Sequence, residues 1–407
     1  MSSKRIAVIG GGAAGFFAAI NIAEKNEGDK IYIYEKTGKL LQKVKISGGG
    51  RCNLTNACFS PKELIKNYPR GGKKLLPVFK RFQPRDTIEW FQKRGVKLKT
   101  EADNRVFPQS DQSQSVIDCF LSLAEHHRIQ ICLHHDVTGL IPPNEYNESW
   151  EVEFRTQIKS KFDKVIIATG GIPSMWKILS KLGHNIVPPV PSLFTFHIED
   201  SRIKDLQGIS FPNVKCRITG TKIETEGPAL ITHWGLSGPA ILKLSSFAAR
   251  ELSEKNYQFD LTSNFSPDEN FDSVRDHLLK LKEPYKKQLL KNQTPFSLPV
   301  RYWKNLLVNV GFPESFRWMD LSGKYLNKLT EEISNAVFHV NGKSTFKEEF
   351  VTCGGVDLNE IDFNNMESKL FSGLYFSGEV LDIDAITGGF NFQAAWTTAY
   401  VISKEIS

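Results

Sequence analysis

Residues 4–15 read KRIAVIGGGAAG, a string that few folds accommodate. An apolar run, Ile6 to Ile9, meets glycines at Gly10, Gly12 and Gly15, and AAGFFAAINIAEK then reads as a helix. Gly10 suits the tight turn out of a strand, Gly12 lets backbone approach a pyrophosphate, and Gly15 lets the helix lie close to the sheet. The helix start offers unpaired N–H groups and a positive dipole end to phosphates. A second strand-like run, Ile31 to Tyr34, ends at Glu35, twenty residues beyond Gly15. An acid there accepts from a ribose hydroxyl pair. The alternative is a glycine-rich turn in an unrelated α/β protein, with Glu35 paired to Lys36 or Lys39 on the surface.

Composition narrows the class. A chain of 407 residues exceeds one ordinary core and predicts two or three domains. No apolar run reaches the roughly 18 residues that a membrane span needs. The first strand begins almost at once, so no signal segment is expected and a cytoplasmic location follows. Six cysteines, at 52, 58, 119, 132, 216 and 353, form no CxxC pair, which argues against a zinc site and against paired redox thiols. The net charge of +7 reads first as a solvated surface. The nearest thing to a basic patch is Lys73, Lys74, Lys80, Arg81 and Arg85, with Phe79 and Phe82 between them. A phosphate-bearing ligand or RNA is one reading of it and an amphipathic surface helix the plainer one.

After Glu35 comes KTGKLLQKVKISGGGRCNLTN, in which Gly48, Gly49 and Gly50 stand between Ser47 and Arg51. Such a loop exposes backbone N–H groups and can lie against a flat ring or an anion; otherwise it is a mobile loop. Residues 60–100 read as basic amphipathic helices, VKLKTEADNRVFPQS as a strand pair, and Gln114 to His127 as a helix. KFDKVIIATGG reads as a buried parallel strand ending in a second glycine turn, at Thr169-Gly170-Gly171. Ligands of doubly wound sheets collect at that edge. Three prolines within 188–191 should stop regular structure and mark a boundary. Hairpin strands follow, then mainly helix over 266–329, then strands in NAVFHVNG and FKEEFVTCGGV. GLYFSGEVLDIDAITGGFNFQAAWTTAYVISKEIS closes the chain with a strand, a loop and a helix. A nucleotide motif first and a closing strand and helix last imply one split domain, with a substrate cleft beside the inserted part.

These motifs together resemble a known family. VIGGGAAG (8–15), KISGGGRCNLTN (45–56), DNRVFP (103–108), IIATGG (166–171), THWGLSGPAIL (232–242), FVTCGGV (350–356), MESK (366–369) and GLYFSGEVLDIDAITGGFN (373–391) are similar to motifs of the BaiN-like, or YhiN-like, NAD(P)/FAD-dependent oxidoreductases. Some of these are labelled aminoacetone oxidase-like, within the glutathione-reductase-type flavoprotein fold. The resemblance implies an α/β fold: a Rossmann-like FAD-binding domain (1–190 and 356–407) split by an inserted β-barrel-like domain (191–264 and 332–355) and a small helical domain (265–331). It implies that Gly10, Gly12, Ala13, Ala14 and Gly15 hold the FAD pyrophosphate, and that Glu35, beside Lys36, holds the adenosine ribose. Lys43, Ser47, Gly48, Gly49, Gly50 and Asn53 should line the flavin. Val137 should meet the adenine through its backbone, Thr169 and Gly170 close the site, and Gly378 and Glu379 take the place where this fold meets the ribityl and pyrophosphate portion. Gly388, Gly389, Phe390 and Asn391 should open the terminal helix, whose N-terminus would stabilise an anionic reduced ring. Two departures stand out: the segment after ATGG is short and carries Trp176, and Ala385 and Phe390 replace the usual glycine and tyrosine.

Flavin performs the electron transfer in such proteins, and the polypeptide orients it. Arg51 is the candidate anion holder, or a structural phosphate contact, and His233 the candidate acid or base, or a packed turn residue. Cys52 lacks a partner cysteine and reads as a small buried residue. Trp234 and Phe390 are either an aromatic wall or core. The function expected is oxidation or reduction of a small organic substrate. Only one GxGxxG follows a strand, so NAD(P)H should bind transiently. The alternatives are a tRNA-modifying flavoprotein, which the dispersal of basic residues disfavours, and a flavin-bound sensor or scaffold. No metal ligand set is visible, and oligomeric state is not readable.

Overall fold

The computed structural model describes residues 3–343 and 351–406, in two compact units. The first half of FKEEFVTCGGV lies outside the described residues. One unit comprises 1–189 with 351–407, and the other 190–350.

The first unit is built on a parallel sheet. Its strands are β1 (Arg5–Ile9), β2 (Lys30–Tyr34), β3 (Gln130–Cys132), β4 (Lys164–Ile167) and β5 (Leu374–Phe376), in the order β3-β2-β1-β4-β5. An antiparallel hairpin, Ile361–Asp362 and Glu367–Ser368, extends the β5 edge. Ile9 stands level with Ile167 on one side and Tyr34 on the other, so both glycine turns leave the sheet at the same height. The reversal of strand order falls between β1 and β4, where open α/β sheets bind their ligands.

Helix α1 (Ala13–Ala23) has ten of its eleven residues buried, as a helix apolar on every side must be. It lies beside α2 (Phe390–Glu405), the terminal helix. Phe17 and Phe120 meet Trp396 at ring distances of 5.2 and 5.7 Å. Buried Asn21 is paired on both sides of its amide: it donates to the Phe17 carbonyl at 2.7 Å and accepts from the Trp90 indole at 3.0 Å.

The prolines at 188–191 do not stop regular structure. Ile186–Ser192 is a strand, paired with Val351–Val356 in a two-stranded ribbon. Such a ribbon has free edges, where the missing proline N–H costs no ladder bond.

The second unit carries a seven-stranded antiparallel sheet around Ser210–Ile218 and Glu224–Ile231. Helices Phe271–Tyr285, Val300–Val310 and Gly323–Ser334 share its core. Tyr302, from the helical stretch, sits 4.8 Å from the ring of Phe211 on the sheet.

Candidate functional site

The three glycines of the first turn do different work. A Cβ on Gly10 would stand 2.4 Å from the Ala168 carbonyl oxygen, and one on Gly15 would stand 2.0 Å from the Gly10 carbonyl oxygen. Those glycines are required by the protein's own backbone. At Gly12 a Cβ would meet nothing within 4 Å. There the turn faces open space, at the start of α1, and no side chain caps that helix. The first-turn N–H groups of Ala13 and Ala14 are left for a ligand. A Cβ on Gly10 would also stand 2.9 Å from the Thr169 Cα, and the Ala168 N–H donates to the Ile9 carbonyl at 2.8 Å, so the two turns at the switch point lie against each other.

Glu35 follows the end of β2, half-buried. It accepts from the Gly11 N–H at 3.1 Å on one oxygen, and from the Thr37 N–H and hydroxyl at 2.9 and 2.8 Å on the other. Each carboxylate oxygen has further lone-pair capacity, so a hydroxyl pair fits beside these bonds. Lys36 is exposed. The Glu35 carbonyl accepts from His135, which places Val137, two residues on and opposite Phe154, at the same end of the sheet.

Gly48, Gly49 and Gly50 have φ of +58°, +71° and +85°, three left-handed residues in succession, a run that non-glycine residues resist. Space beside Gly49 and Gly50 is open to 4 Å. The loop is fastened by Ser47 to the Val44 carbonyl and by Ser113 to the Gly50 carbonyl. Arg51 donates to Glu101 at 2.7 Å, approaches Asp111 at 3.5 Å and lies 4.0 Å over the Phe107 ring. The Glu101 hydrogen bond pushes the guanidinium pKa up. Its charge is therefore already matched by protein carboxylates. Cys52 is fully buried, which pushes its thiol up to about 12, and a thiol so placed is inert.

At the other turn, Glu379 accepts from Lys43 at 2.5 Å and, on its second oxygen, from the Thr352 N–H at 2.9 Å. Gly170 adjoins the same carboxylate, 3.8 Å from its would-be Cβ. Gly378 is closely flanked by Ala14 and Ala395, tying this turn to both helices. Helix α2 starts at Gly389 with no side-chain cap. A Cβ on Gly389 would collide with Thr55 at 2.5 Å. Asn53 accepts from the Gly389 N–H at 3.1 Å in the amide orientation its neighbours require, and Asn56 donates to the Gly388 carbonyl at 3.1 Å. Asn391 clasps the Ala385 backbone through two 2.9 Å bonds. Phe390 is buried, with the Tyr68 hydroxyl donating to its carbonyl at 2.6 Å. Trp176 donates to the Val380 carbonyl at 2.9 Å and belongs to the core.

His233 and Trp234 occupy an exposed bend in the second unit. Trp234 is 46 % exposed and so is not core. Among the described residues no group of His, Cys, Asp and Glu is arranged to hold a metal, and no helix is long and apolar enough to cross a membrane.

Sequence reasoning missed Arg70 and Asp384. The carboxylate of Asp384, wholly buried, is gripped by both ends of the Arg70 guanidinium. A charged residue amid LDIDAITGG was the available signal, since a buried charge needs a partner. Its partner, 314 residues away, was not readable. Tyr68 and Thr352 were missed for the same reason.

The site thus offers an open backbone cradle, two helix starts without side-chain caps and a half-buried acid at the end of β2, and these fit a dinucleotide. Comparison with known proteins agrees with that architecture. A ribosomal RNA dihydrouridine synthase of Haemophilus influenzae is 29 % identical over 413 residues, 98 % of each chain. A 3-dehydro-bile acid delta(4,6)-reductase of Clostridium scindens is 26 % identical over 415 residues, covering 98 % of both. Among solved structures, a 3-ketosteroid-delta4-(5alpha)-dehydrogenase from Rhodococcus jostii superposes with a TM-score of 0.51 at 12 % identity, covering 99 % of this chain and 98 % of that one, a likeness of fold. The family model described as the HI0933-like protein Rossmann domain matches residues 4–405. The chain belongs to the HI0933-like Rossmann family.

Proposed function

We propose that this protein is an FAD-dependent oxidoreductase that reduces a carbon–carbon double bond conjugated to a carbonyl group, with NAD(P)H as electron donor. The observation that carries the reading is the contact between the two glycine turns at the switch point, with open space at Gly12 and an uncapped helix start beside it. Ala13 and Ala14 would hold the pyrophosphate and Glu35 the ribose, while the 48–50 loop lies along the ring system. The start of α2 faces the negative charge that a reduced ring carries. Bound FAD supplies the two-electron chemistry.

Two relatives support the choice of reaction. A dihydrouridine synthase and a delta(4,6)-reductase both, by name, add hydrogen across a ring double bond. In uracil and in a 3-oxo steroid unsaturated at carbon 4, that bond is conjugated to a carbonyl. The balance is the same in each: the bond gains a hydride and a proton, and NAD(P)H becomes NAD(P)+. His233 is our proton donor. Arg51 could hold an anionic group only by leaving Glu101. Between a small enone and uracil in RNA, we favour uracil in RNA, on the basic balance of the chain, net +7.

The test begins with colour. The purified protein should carry oxidised flavin, and a colourless folded protein that cannot be reconstituted with FAD sinks the reading. Anaerobic mixing with NADH or NADPH should bleach the flavin; failure of both points to an oxidase or another donor. The reduced enzyme should then convert uridine in ribosomal RNA to dihydrouridine, measured on the digested RNA. Conversion of a steroid dienone alone would select the small-molecule substrate.

A further inference from the structure

The basic residues are less dispersed than the sequence reading held, because one segment carries the excess. Residues 61–100 hold twelve Lys and Arg against three Asp and Glu, a net +9, where the whole chain carries +7. Half of these cations are committed to acids: Lys66 to Glu63, Arg70 to Asp384, Arg81 to Glu405, Lys93 to Glu89, Arg94 to Glu24 and Lys99 to Asp111. Lys62, Lys73, Lys74, Lys80, Arg85 and Lys97 are exposed, and no acid pairs with them among the described residues.

The placement is ordered. Helix Gly72–Phe79 buries Leu75, Val78 and Phe79 and turns Lys73 and Lys74 to solvent. Lys80, seven residues beyond Lys73, continues that face. Phe59, 41 % exposed, has the Arg85 guanidinium, five residues beyond Lys80, 5.2 Å from its ring centroid. An open ring beside an arginine, in one stretch of chain with exposed lysines, combines the two elements that hold single-stranded nucleic acid: a platform for a base and charge for the backbone.

The segment is fixed to the flavin end of the site. Tyr68 donates to the Phe390 carbonyl at 2.6 Å, Arg70 grips Asp384, and Thr87 donates to Gln393 of α2 at 2.9 Å. Phe59 itself follows Asn56, which holds Gly388.

We propose that residues 59–85 form the docking surface for an RNA strand, with Phe59 and Arg85 stacking a nucleobase that flanks the reacting one and Lys73, Lys74 and Lys80 neutralising phosphates. The proposal rests on the reading of RNA as substrate.

Two variants and a control test it, by fluorescence anisotropy with a fluorescein-labelled single-stranded oligouridylate. All should keep the flavin content and melting temperature of the parent. Lys73→Glu/Lys74→Glu/Lys80→Glu should weaken binding about tenfold or more and flatten the dependence of log Kd on log salt by about 2, at roughly 0.7 per contact. Phe59→Ala should weaken it roughly fivefold to hundredfold with the salt slope unchanged, because stacking releases no counterions. Lys204→Glu/Lys222→Glu/Lys255→Glu, a matched charge change in the second unit, should leave the affinity within about threefold. Parent-level binding by the first two variants overturns the surface while the RNA reading stands. Equal loss in the control overturns it as non-specific attraction. Parent protein that binds no RNA even at about 50 mM salt withdraws the RNA reading itself. An oligoglutamate that competes as well as RNA, with Phe59→Ala neutral, replaces the RNA strand by an acidic protein partner.

Discussion

Asp384 is fully buried, and Arg70, whose side chain is 10 % exposed, closes on both of its carboxylate oxygens. The pair joins the basic segment to the loop that precedes the terminal helix. Removing one partner leaves the other charge buried and uncompensated, a cost of about 3–5 kcal/mol. Asp384→Ala should therefore lower the urea midpoint and release flavin. Replacing both by leucine should recover part of the loss, since no charge is stranded. If Asp384→Ala unfolds at the parent's midpoint, the pair is not the clamp described.

Glu35 is bonded to Gly11 and Thr37 and is proposed to accept from a ribose. Glu35→Ala removes charge-assisted hydrogen bonds of roughly 1.5–3 kcal/mol each, so the FAD dissociation constant should rise by about tenfold or more. Equilibrium titration of the desalted apoprotein measures it. An unchanged constant would make Glu35 a structural acid only.

The first glycine turn yields a paired prediction. Gly15→Ala drives a methyl into the Gly10 carbonyl at 2.0 Å and should cost about 1–3 kcal/mol of stability or more. Gly12→Ala meets no protein atom within 4 Å, so its apoprotein should melt as the parent apoprotein does while its flavin content falls. Thermal melts run beside the flavin-to-protein ratio separate the two. A Gly12→Ala protein with full flavin would remove the cradle from this turn.

Cys52 and Cys216 give a pH dependence whose sign is fixed. Burial raises both thiols to about 12 in the folded state, while an unfolded thiol titrates near 8.5–9. Above that lower value the unfolded chain has lost protons that the folded chain keeps. Stability is therefore complete below about pH 8.5 and falls as pH rises toward 12, by up to about 1.4 kcal/mol per pH unit for each thiol. Urea midpoints at pH 8 and pH 10 should show the fall. The Cys52→Ala/Cys216→Ala protein should show a shallower one.

The sequence by itself determined the parallel sheet, because buried strands and glycine turns are local signals. Ile6 to Ile9 and Val165 to Ile167 carry apolar runs that only a covered sheet accepts. Gly10, Gly12 and Gly15 were readable as a turn before a helix, and Cys52 as a buried thiol. Family membership was readable as well, since it lies in strings such as SGGGRCNLTN. What the sequence left open was decided by contacts between distant residues. That Gly10 serves the backbone follows from the approach of Ala168, some 150 residues away, whereas Gly15 meets the Gly10 carbonyl within the turn itself. That Arg51 is tied to Glu101, and Asp384 to Arg70, depends on which opposite charge the fold brings within reach. The prolines at 188–191 do fall where the two units divide, but they were misread as stopping regular structure, because proline forbids a central strand and permits an edge, and only strand order tells these apart. Local propensity and periodicity are written residue by residue; charge pairing and the direction of open space are properties of the assembled chain.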